Sequence, residues 1–79
     1  MADRVYHVRA VWDAEAKVWC ADSDDVPGLV AEAATIEELI EDVRELVPEL
    51  LRLNGVNPDA DSAPVSIVAE YQGHVRLRA

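Results

Sequence analysis

Apolar and polar residues alternate along residues 5–12, with Tyr6, Val8, Ala10 and Trp12 on one side and Val5, His7, Arg9 and Val11 on the other. A period of two predicts a strand. The turn Asp13-Ala14-Glu15-Ala16 follows, opened by an Asp whose carboxylate can accept from amides ahead of it. Residues 17–22 then read as the return strand of an antiparallel hairpin, because a four-residue loop leaves little room for anything else. Ser23-Asp24-Asp25-Val26-Pro27-Gly28 breaks the pattern, since Pro27 cannot donate to a ladder and Gly28 tolerates positive φ. Residues 29–33 are apolar enough for a short third strand.

The period then changes. Ile36, Leu39, Ile40, Val43, Leu46, Val47, Leu50 and Leu51 recur at spacings of three and four, the stripe of an amphipathic helix. Thr35 and Glu38 form the T-x-x-E capping box, and Glu37 and Glu38 sit where the helix dipole favours negative charge. Asn54-Gly55 marks the stop. Pro48 lies inside this helix and predicts a kink or a split, at about 3 kcal/mol. The stripe continues in phase to Leu51, which favours the kink. Residues 56–64 read as a surface loop. Val65, Ile67, Ala69 and Tyr71 alternate with Ser66, Val68 and Glu70, and Gln72-Gly73 separates them from residues 74–78. There His74, Arg76 and Arg78 share one face and Val75 and Leu77 the other, so a final hairpin is predicted.

The predicted fold is one α+β domain spanning residues 1–79. A mainly antiparallel sheet of four to five strands, in the order β-β-β-α-β-β, carries one long helix on one face. At 79 residues the core is small, and oligomerisation is a common remedy for the marginal stability that follows. Tyr6, Trp12, Trp19 and Tyr71 are the only aromatic residues and should anchor the core.

Charge narrows the partners. Sixteen acidic residues against seven basic ones give a net charge of −9, which disfavours nucleic acid and anionic lipid and favours a basic protein. No apolar run reaches the length of a membrane span, the N-terminal stretch lacks a signal peptide's apolar region, and Cys20 is the single cysteine. A cytoplasmic protein is the expectation.

The search for chemistry returns little. Asp22, Asp24 and Asp25 could hold a divalent ion, and with it a nuclease activity. Counted from Asp22, however, the calcium-loop positions for Gly and Glu fall on Pro27 and Ala33, so a solvated turn is favoured. His7 and His74 could meet if their strands pair, yet two histidines and a distant Cys20 do not make a zinc site. Ser23, Ser62 and Ser66 have no nucleophile elbow, and Gly28, Gly55 and Gly73 cannot build a phosphate loop. No catalytic residue, metal site or cofactor is assigned, and a non-enzyme is expected. The Arg76-Leu77-Arg78 end is a small basic patch that could blunt an edge strand or pair with a second copy.

Residues 22–43 resemble the HicB-like antitoxin superfamily. The likeness rests on the D-x-P-G-L turn at Asp25 to Leu29, a short strand, the T-x-E-E helix start at Thr35 and the amphipathic helix. Val18-Trp19-Cys20-Ala21 matches the family's strand entering that turn, so the resemblance covers residues 5–53. Within the superfamily, Trp19-Cys20-Ala21 and the Pro48 helix look like an uncharacterised branch of short stand-alone proteins rather than the best-studied antitoxins. The resemblance implies a sheet of three or four strands with one helix against it, in a degenerate ribonuclease-H-like arrangement without an active site. It implies a non-enzymatic module that neutralises a small, basic, RNA-cleaving toxin, and homodimers or higher oligomers. Family antitoxins usually carry a C-terminal DNA-binding module, whereas a hairpin is predicted here, so direct nucleic-acid binding is not expected. The alternative is a self-associating structural domain joined through its C-terminal strand.

Overall fold

The computed structural model describes residues 4–56 and 63–78. Its order is β1 (Tyr6–Asp13), β2 (Val18–Asp22), β3 (Val30–Ala33), α1 (Ile36–Leu53) and β4 (Val65–Glu70). The strands form one open sheet in the order β3-β2-β1-β4. β1 and β2 are antiparallel, as are β2 and β3, while β4 runs parallel to β1. The direction of β4 follows from connectivity. Two hairpin-like reversals leave β3 running parallel to β1, and α1 carries the chain back across the sheet before β4 begins.

The β1–β2 hairpin closes as its sequence suggests. Asp13 Oδ1 accepts from the amides of Glu15 (3.0 Å) and Ala16 (3.1 Å), and the Lys17 amide donates to the Asp13 carbonyl at 2.7 Å. Lys17 takes a left-handed φ of 58°. It therefore belongs to the turn, and β2 begins one residue later than the alternation suggests.

α1 begins at the expected cap, where Thr35 Oγ1 accepts the Glu38 amide at 3.1 Å. Among the bonds of the described residues, the return arm of the capping box is absent. Pro48 neither splits nor ends α1, which runs as one helix of 18 residues with Pro48 exposed. Leu39, Val43, Val47 and Leu51 are the buried stripe, and α1 lies over β2 and β3. They pack on Tyr6, Val8, Ala10, Ala21, Ala31 and Ala33 from the sheet and on Val26 and Leu29 from the turn. The small alanines let the helix approach the strands closely. The aromatic anchors are only partly as anticipated. Tyr6 is buried, whereas Trp12 and Trp19 are half-buried and meet at a tilt of 60° with ring centroids 5.4 Å apart, and Tyr71 is exposed.

The predicted fifth strand does not form. Residues 71–78 make no ladder, and a Gln72-Gly73 hairpin turn would need a positive φ that Gly73 does not adopt. Gly73 serves a close approach instead, since a Cβ there would lie 2.6 Å from the Tyr71 hydroxyl. The segment extends away from the body. The radius of gyration of 15.0 Å exceeds the compact value of about 12 Å for this length, and the long axis of 56 Å is more than twice the next, 24 Å.

Candidate protein-interaction surface

The acidic turn is a structural clasp. β2 ends at Asp22, short of His7 on β1, and the next residues finish the ladder with side chains. The His7 amide donates to Asp25 Oδ2 at 2.8 Å, and the Ser23 hydroxyl donates to the His7 carbonyl at 2.6 Å. Ser23 Oγ also accepts the amides of Asp25 (3.1 Å) and Val26 (3.2 Å). The His7 amide, foremost, and Arg4 at 3.5 Å hold the Asp25 carboxyl below its ordinary range, against a smaller opposing effect of burial. Asp25 is thus an acceptor occupied by the protein itself. Among the described residues, no three His, Cys, Asp or Glu side chains converge on a possible metal position.

Val26-Pro27-Gly28-Leu29 follows as a turn in which the Leu29 amide donates to the Val26 carbonyl at 3.1 Å and Gly28 takes φ +87°. Val26 and Leu29 fill the core from its two ends. The turn is tied to the far end of α1, because Asn54 Nδ2 donates both to the Pro27 carbonyl (3.2 Å) and to the Leu50 carbonyl (2.8 Å). The D-x-P-G-L motif and the helix stop are therefore one joint.

His7 and His74 do not meet. His7 sits opposite Ser66 of β4, and His74 lies in the extended tail. Cys20 faces the helix-free side of the sheet, between Val11 and Glu32. Partial burial, then Glu32 and Asp13, push its thiol up, away from the thiolate a nucleophile requires. Ser23 is a hydrogen-bonding element of the clasp, and Ser62 lies outside the described residues.

What remains is surface. The outer side of α1 exposes Glu37, Glu38, Glu41, Glu45 and Glu49 against Arg44 and Arg52. A single Arg44–Glu41 pair at 3.6 Å neutralises little of it. The opposite sheet face mixes Val11, Val18 and Cys20, all half-buried, with Asp22, Glu32 and Glu70. The tail adds exposed Val75 and Leu77 on either side of Arg76. Sequence reasoning weighed the basic end and the net charge, but it did not place the carboxylates on one helix face. Their occurrence at positions outside the apolar stripe was the available signal.

The family model described as "Domain of unknown function (DUF1902)" matches residues 5–79. The chain belongs to this family. The solved structure of a hypothetical protein, TTHA1013, from the extreme thermophile Thermus thermophilus is similar, at 47% identity, covering 94% of this chain and 100% of that one, with a TM-score of 0.70. No curated protein matches the sequence. The DUF1902 match extends through β4 and the tail, beyond the segment that carries the antitoxin likeness.

Proposed function

We infer that this DUF1902 protein is a non-catalytic binding module of the HicB-antitoxin kind, which neutralises a small, basic, RNA-cleaving protein by covering its working surface. The carrying observation is the outward face of α1, where five exposed glutamates face solvent with two arginines. Such a face speeds encounter with a basic protein and repels phosphate, so it suits a protein partner better than nucleic acid. The sequence likeness over residues 5–53 supports the same reading, since its two motifs form the clasp and the helix cap that hold α1 in place. The reading puts the chain in the cytoplasm, where its partner would meet RNA.

The test is co-expression with the protein encoded beside it. A small basic protein should co-purify, and its growth inhibition should be relieved by this chain. A neighbour that neither binds nor arrests growth would overturn the reading.

A further inference from the structure

β4 is an edge strand whose outer side has no partner among the described residues. It reads Val65-Ser66-Ile67-Val68-Ala69-Glu70, with neither Lys nor Pro to block addition of another strand, and Val68 is 62% exposed. Directly after it comes a segment with the alternation of a strand but no ladder of its own, in which Val75 is 82% and Leu77 94% exposed. Edge and orphan strand cannot satisfy each other within one chain, because Gly73 lacks the φ of a tight hairpin and its backbone is held against Tyr71.

We propose that residues 74–78 of one copy add to the outer edge of β4 in a second copy, reciprocally, about a two-fold axis at Gln72. The parity of the chain fixes the fit. Val65, Ile67 and Ala69 lie beside Tyr6, Val8 and Ala10 on the helix side of the sheet, which leaves Ser66, Val68 and Glu70 on the other. Carried on at a period of two, Val75 and Leu77 fall on the helix side, with His74, Arg76 and Arg78 opposite. Antiparallel pairing with Gln72 facing its own counterpart sets Val75 against Ala69, Leu77 against Ile67 and His74 against Glu70. Apolar residues meet apolar ones, and the one carboxylate of β4 meets a histidine. Charge points to the same occupant. The tail carries His74, Arg76 and Arg78 with no acid, so it repels a basic partner. Although two copies of net charge −9 repel as wholes, the register sets His74 opposite Glu70 and Arg76 diagonal to it. The arrangement is isologous and closed, and it covers the outer edge of β4 in both copies at once.

Sedimentation of the full chain should give a dimer. Val75→Asp with Leu77→Asp, at positions too exposed to disturb the monomer's fold, should give a monomer with unchanged circular dichroism. Gln72→Cys in a Cys20→Ala background should oxidise to a covalent dimer, because residues facing each other across antiparallel strands lie within disulfide reach. Glu15→Cys, on the distant hairpin turn, should not. A full chain that stays monomeric at sub-millimolar concentration overturns the proposal. So does a dimer that survives both aspartates, or cross-linking that is no better at position 72 than at 15. None of these outcomes depends on the toxin-like partner.

Discussion

The His7 amide donates to the Asp25 carboxylate at 2.8 Å, joining two residues 18 positions apart. With Ser23 on the His7 carbonyl, the pair continues the β1–β2 ladder where β2 has already ended. The acidic loop is thereby ordered by hydrogen bonding to backbone, and the charge on Asp25 strengthens that bond.

A pH dependence follows. Asp25 has a folded pKa below its unfolded value, so its contribution to stability is fully present above the unfolded value of about 3.9. It is lost as pH falls through the lower, folded value. Its share of the denaturation midpoint should therefore hold from neutral pH down to about 4 and be lost below it, and Asp25→Asn should flatten that loss while lowering the midpoint at pH 7. Denaturant titrations of both proteins across this range check it, and parallel pH profiles would remove Asp25 from the account.

The joint between turn and helix predicts a second effect. Gly28 takes φ +87°, and a Cβ there would stand 3.5 Å from Leu50 Cδ2, an ordinary contact. Space is available, so Gly28→Ala should cost only the backbone strain of the left-handed region, about 1–2 kcal/mol. Urea unfolding measures this directly. A loss several-fold larger would mean that the turn had also detached from Asn54.

How far the sequence reaches is clear from these elements. Thr35, the apolar stripe and Asn54 delimit α1 correctly because each signal is local, resolved within a turn or two of chain. Alternation likewise put Tyr6, Val8, Ala10 and Trp12 on one side of β1, of which the first three are buried and Trp12 is half-buried. It identifies faces but not neighbours, so the parallel seat of β4 beside β1 was not legible. It emerges only when the direction of β3 and the return through α1 are combined. The missing hairpin has a similar cause, because Gly73 reads as a turn residue when its use is close packing against Tyr71. Asp25 looked like a candidate ion ligand because its partner, the His7 amide, is remote in sequence. The carboxylate face of α1 was present in the pattern as the complement of the stripe, yet net charge alone did not locate it.

Pro48 supplies a third prediction. The proline is exposed within a continuous helix, and it leaves the Arg44 carbonyl without its helical donor. Pro48→Ala restores that bond without altering the buried stripe of Val47 and Leu51. Stability should rise by about 1–3 kcal/mol, read as a higher midpoint in thermal or denaturant unfolding. A loss instead would show that the backbone shape set by Pro48 is needed to seat the second half of α1 on the sheet.

The outward glutamates of α1 give the prediction that bears most on function. Glu41 and Glu45 are exposed and face away from the core, so Glu41→Lys with Glu45→Lys should leave the fold intact while changing the local charge by four units. If a basic partner is drawn in by this face, the double variant should bind it with an association rate at least about tenfold slower, and most of the change should lie in the on-rate. Raising the salt should slow the native protein towards the variant, because exposed charges are screened within about 10 Å at 0.1 M. Stopped-flow association of the co-purified partner at two ionic strengths measures both effects. Equal rates for the two proteins at low salt would exclude the α1 face as the surface that meets the partner. The reversed charges would then leave the tail and the helix-free side of the sheet as the surfaces to mutate next.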